Sequence, residues 1–101
     1  LSDTSKVYVI GHITVKDAEK WASYRSQVPA TLVPWQAELV FRGERLAVLG
    51  GEHCHTDTVV ICFPNAGAAD GWFNSDAYQA LIPLRMAAAE VDLISFSAPD
   101  A

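Results

Sequence analysis

Apolar and polar positions recur with different periods along the chain, and those periods predict its elements. Residues 6–14 (KVYVIGHIT) are rich in β-branched side chains and read as a strand. One face carries Val7, Val9, Gly11 and Ile13, the other Tyr8, Ile10, His12 and Thr14. Neither face is acidic or basic, so both are expected to be covered. The period then changes. Asp17 is placed to cap a helix, its carboxylate accepting from the free N–H groups of the first turn. Trp21, Tyr24, Val28 and Leu32 follow three or four residues apart and form one helical stripe. Pro29 falls inside that stripe and frees the Arg25 carbonyl, which predicts a kink or an early end. Pro34 closes the segment.

Two short runs follow, residues 37–43 (AELVFRG) and 45–50 (RLAVLG), which read as strands joined by a tight turn near Gly43 and Glu44. Residues 50–57 (GGEHCHTD) read as a polar loop. Residues 57–64 (DTVVICFP) again have two faces, Val59, Ile61 and Phe63 against Thr58, Val60 and Cys62. Asn65 is placed to cap a short helix carrying Ala68, Ala69, Trp72 and Phe73. Ser75 is placed to cap another over residues 76–90, with Tyr78, Leu81, Arg85 and Ala88 on one line and Pro83 interrupting it. Residues 91–97 (VDLISFS) read as a last strand. The order is β-α-β-β-α-β with a short extra strand, an α+β, ferredoxin-like pattern. Two helices cover one face of such a sheet, and an apolar second face calls for the sheet of another copy. A homodimer through the sheet face is therefore expected.

Composition sharpens this. The chain has 101 residues, enough for one domain. Residues 1–5 read as a loose end, 6–97 as the domain and 98–101 as a tail. Half the residues are hydrophobic and 19% are charged, which excludes disorder and gives more apolar side chain than so small a monomer can hide. Net charge is -5, and the seven Lys and Arg are scattered from Lys6 to Arg85. No clustered cations await a nucleic acid. No apolar run approaches the ~18 residues of a membrane span, and the first residues are too polar for a signal peptide. Cys54 and Cys62 make no disulfide framework and read as reduced thiols of a cytoplasmic protein.

The segment VYVIGHITVKDAEKWASYRSQVPATL resembles the start of the DUF1330 family, as do FRGE at 41–44, VVICFPN at 59–65, AADGWFNSDAYQALIPLR at 68–85 and the closing VDLISF. The resemblance covers about residues 6–97. It implies a ferredoxin-like subunit of the dimeric α/β-barrel superfamily. Relatives on that fold include cofactor-independent monooxygenases, lactone isomerases and haem enzymes, and the fold does not choose among them. The family often has a Gly pair before its second strand, where this chain has Gln36 and Ala37.

Candidate chemistry is sparse. His12, among apolar neighbours, is a candidate proton-transfer group, since its reference pKa of about 6.5 lies near working pH; it reads more readily as a half-buried ring hydrogen-bonded to a carbonyl or water. Arg42 is a candidate holder of a carboxylate or enolate through paired N–H donors, or the partner of a surface acid such as Glu38 or Glu44. Tyr24, Trp72, Tyr78 and Arg85 are candidate substrate-binding residues, although helical spacing makes packing the default for the aromatics. Arg85 reads alternatively as a clamp on Asp17 or Asp76. His53, Cys54 and His55 are metal-ligand types, but their spacing matches no zinc signature and reads as a surface loop. Ser75 reads as a cap. There is no G-x-S-x-G elbow and no Gly-rich phosphate loop. The reading favoured is a small-molecule enzyme needing no cofactor, with its pocket between sheet and helices; the alternative is a non-catalytic ligand-binding or regulatory homodimer.

Overall fold

The computed structural model describes residues 5–98. Residues 1–4 and 99–101 of the expected loose ends lie outside that range. Strands β1 (Lys6–Val15), β2 (Glu38–Glu44), β3 (Asp57–Phe63) and β4 (Ala89–Ala98) form one antiparallel sheet in the order β2-β3-β1-β4. Helices α1 (Ala18–Leu32), α2 (Ala66–Phe73), α3 (Asp76–Gln79) and α4 (Ile82–Ala88) complete the β-α-β-β-α-β pattern, with a 3-10 turn at Val33–Trp35. Among the described residues no helix is long and apolar enough to cross a membrane.

The helices lie on one face of the sheet. Val7, Val9 and Ile13 of β1 and Ile61 and Phe63 of β3 are buried with Trp21, Tyr24 and Leu32 of α1, Trp72 of α2 and Tyr78 of α3. The alternation of β1 has the period that the sequence implied, every second residue being core, but its sense takes His12 out of the pocket expected between sheet and helices: Tyr8, Ile10, His12 and Thr14 point to the opposite face, half-buried. Register puts Tyr8 opposite Cys62 and Phe96, and Ile10 opposite Val60 and Ile94. Phe41 opposes Val60 after an irregularity between Leu39 and Phe41. The second face is therefore apolar at Tyr8, Ile10, Phe41, Val60, Ile94 and Phe96, and among the described residues no helix covers it. The molecule is a slab of 44 × 36 × 16 Å.

The caps form as their chemistry requires: Asp17, Asn65 and Ser75 accept from Lys20, Ala68 and Tyr78 N–H groups. Four details differ from expectation. Residues 45–50 are not a strand. The partner of β2 is β3, and the Arg45 N–H donates to the Thr56 carbonyl at 2.6 Å, so the chain runs on along β3 instead of turning back at Gly43 and Glu44 to pair with the outer edge of β2. Helix α1 continues through Pro29 to Leu32. Pro29 is exposed, where water can take up the freed Arg25 carbonyl. The interruption expected in the helix over 76–90 is present, but it falls at Ala80 and Leu81, ahead of Pro83, which lies in the first turn of α4. Proline suits that position because its missing N–H has no helical partner there. Strand β4 begins at Ala89, two residues earlier than its apolar run suggested. Gln36 sits at φ 55°, ψ 34°, the left-handed region that favours glycine, at one of the positions where the family often has its Gly pair.

Candidate functional site

The recess begins with a glycine. In the helix-facing row of β1, Val7, Val9 and Ile13 are interrupted by Gly11. Val59 and Leu93, its partners on β3 and β4, lean in from both sides; a Cβ on Gly11 would come within 3.0 Å of one and 3.3 Å of the other. This lowers the floor of a small enclosed cavity of about 40 Å³. Its roof is Trp21, Tyr24, Arg25 and Val28 of α1, with Trp72 of α2 behind and Arg42 of β2 at the side. A shallower groove of about 170 Å³ adjoins it, sharing Val28, Arg42 and Ile61 and running between Pro29 and Leu39. Larger depressions exist, about 210 Å³ between α2 and β4 and about 490 Å³ beside Lys16 and Arg85, but both open broadly to solvent. The recess over Gly11 is the most apolar of these and the least open to solvent, and at about 40 Å³ it takes a small molecule only together with the groove beside it.

Its polar supports are few. The Tyr24 and Tyr78 hydroxyls share a hydrogen bond of 2.8 Å, and Arg85 Nη1 donates to the Tyr78 oxygen at 2.9 Å. Arg85 therefore pairs with a phenol, not with Asp17 or Asp76. Burial, with Tyr78 alongside, holds the Tyr24 phenol protonated well above its usual range. Trp72 Nε1 donates to Thr31 Oγ1 at 2.9 Å, and that hydroxyl donates to the Val28 carbonyl at 2.6 Å. Partial burial, with the Arg25 guanidinium nearby, pushes Arg42 below its ordinary value. Glu38 and Glu44 form no ion pair with Arg42 among the described residues.

The candidates of the sequence thus divide. Tyr24, Trp72 and Arg42 line the recess. Tyr78 and Arg85 stand behind Tyr24 through the hydrogen-bond chain. His12 is not brought to them: the alternation of β1 sends its ring to the opposite face of the sheet. There His12 Nδ1 lies 3.2 Å from Thr58 Oγ1, and the His53 ring stands edge-on at 4.9 Å. His55 is buried, its Nε2 donating to Asp92 at 2.9 Å and its Nδ1 sharing a 2.9 Å hydrogen bond with Thr14. Both of its nitrogens are engaged, and Cys54 is exposed. Among the described residues, no group of three or more His, Cys, Asp or Glu side chains is placed to hold a metal ion. His55 instead pins the loop after β2 to β1 and β4. Sequence reasoning missed Arg25. It follows Tyr24 and precedes Val28 by three, so it flanks the apolar stripe, which was the available signal.

The family model described as "Domain of unknown function (DUF1330)" matches residues 6–98. No functionally curated protein matches the sequence. Among solved structures, a protein of unknown function from Rhodopseudomonas palustris superposes with a TM-score of 0.78 at 18% identity, over 98% of this chain and 86% of that one. A dimeric ferredoxin-like protein of unknown function from Jannaschia sp. CCS1 gives 0.72 at 8% identity, over 92% and 99%. SnoaB, a cofactor-independent oxygenase from Streptomyces nogalater, gives 0.69 at 10% identity, over 96% of both chains. At these identities the likeness is one of fold.

Proposed function

We propose that this chain, which belongs to the DUF1330 family over residues 6–98, is a small-molecule enzyme that needs no cofactor and works in the recess between sheet and helices. The observation that carries the reading is the recess itself: an apolar cavity floored at Gly11 and bordered by Arg25 and Arg42. A reaction without a cofactor draws on the substrate's own acidity, and the protein's part is to exclude water and stabilise developing negative charge. Arg25 and Arg42 are suited to that. The step they favour is ionisation of a weakly acidic C–H or O–H bond: the electron pair stays on the substrate and the proton leaves to solvent. A cofactor-independent oxygenase on the same fold supports this class of chemistry. His12 has no part in it, because it lies across the sheet.

One observation favours the second reading, a non-catalytic ligand-binding homodimer. No carboxylate or imidazole lines the recess, so no side chain there takes up a proton near neutral pH. Deuterium exchange into the carbon acid of phenylpyruvate, followed by NMR with no added cofactor, separates the two. The enzyme reading predicts exchange at least ~100-fold above background, from stabilisation of the developing negative charge, lost when Val59→Phe fills the recess. Binding of phenylpyruvate with background exchange would select the second reading.

We also propose that two copies pair through the uncovered sheet face. The dimeric state of the Jannaschia protein supports pairing, and the exposure of Phe41, Ile94 and Phe96 on that face supplies the driving force.

A further inference from the structure

Arg25 and Arg42 border the same recess, and among the described residues neither forms a hydrogen bond or an ion pair with another side chain. None of the seven Lys and Arg is in an ion pair among the described residues, so what sets these two apart is that they border one apolar recess together. Glu44, two residues along the same strand, forms no ion pair with Arg42. Two like charges held near each other beside an apolar cavity repel in the empty protein, and an anion between them removes that cost. Arg is also the side chain best suited to grip a planar pair of oxygens, through its fork of N–H donors.

We propose that the recess takes a small planar monoanion, a carboxylate or enolate on an apolar body, with its charge held between Arg25 and Arg42. This rests on the reading of the recess as the functional site and names its substrate class. The apolar body spans the recess and the adjoining groove against Val28, Val59 and Ile61, with the charged end toward the exposed Arg25 and Arg42. A phosphate without an apolar body makes only half of these contacts.

Matched pairs test it by ligand-observed NMR and calorimetry: benzoate against benzamide, and cyclohexanecarboxylate against its amide, with inorganic phosphate as a further probe. The acids are expected to bind about tenfold or more tightly than the amides, with phosphate weaker than either acid. R25Q and R42Q should each lower acid affinity about five- to twentyfold, flatten the salt dependence of acid binding and leave amide affinity unchanged. Both residues are exposed, and an unchanged circular dichroism spectrum and melting midpoint would show that the variants fold. Equal binding of acid and amide, or benzoate binding indifferent to both substitutions, would overturn the anion assignment. If both members still lost binding in Val59→Phe, the recess would stand as the site without it. Failure of every probe to bind the wild-type protein would overturn the anion assignment and the reading of the recess together.

Discussion

At the scale of single residues, the chemistry turns on which face of a strand or helix each side chain takes. Tyr24 and Trp72 were legible as large residues on apolar stripes, and they border the recess. Their partners were not legible, because Tyr78 lies 54 positions from Tyr24 and Thr31 lies 41 from Trp72. His12 was legible as a titratable ring, but which face it took depended on where the helices packed. Tyr24 also sets a pH dependence. Its folded-state pKa is raised above the ordinary 10.0, first by burial and then by Tyr78. The folded chain therefore keeps a proton that the unfolded chain loses above about pH 10. That contribution to stability is whole below this pH and is lost as pH rises beyond it. The melting midpoint should fall between about pH 9 and about pH 11, and fall less steeply in Tyr24→Phe, which cannot ionise. At neutral pH the variant should lose about 1 kcal/mol with its hydrogen bond to Tyr78. Parallel pH profiles for the two proteins would contradict this assignment.

At the scale of elements, the strands, caps and helical stripes followed from period and cap chemistry, which act within a few residues. The failures have one source. Residues 45–50 have the composition of a strand, but Arg45 stays hydrogen-bonded to Thr56 across from β2, and the chain does not turn back to pair with the free edge of β2. Leu46 and Leu49 are left 99% and 98% exposed. Helix α2 shows the same dependence on neighbours. Gly71 looks like a flaw in a helix, yet a Cβ there would collide with the Trp35 ring of the 3-10 turn. The absent side chain is what lets the turn after α1 pack on α2. Alanine normally improves a helix interior by roughly 0.5–1 kcal/mol. Here Gly71→Ala should instead destabilise by about 1–3 kcal/mol, read as a lower urea midpoint with an unchanged slope. A midpoint equal to or above that of the wild type would show that Trp35 is free to move away.

At the scale of the whole molecule, the excess of apolar side chains in the composition becomes a surface. It comprises Tyr8, Ile10, Val60, Phe41, Ile94 and Phe96, on the face that the helices leave open. Burying each large side chain there contributes roughly 1.5–3 kcal/mol. Sedimentation should find a dimer at low micromolar concentration, and dilution should unfold the protein sooner than release a stable monomer. A Phe96→Glu, Ile94→Lys variant should lose the dimer; a monodisperse wild-type monomer would count against the paired sheets. The functional account makes the opposite face its site, so one experiment separates the two faces. Phenylpyruvate titrated into ¹⁵N-labelled protein should shift the amides of Gly11, Tyr24, Arg25, Arg42 and Val59 and leave those of His12, His53 and Thr58 in place. Shifts confined to His12, His53 and Thr58 would put the site on the wrong side of the sheet and contradict the account at its centre.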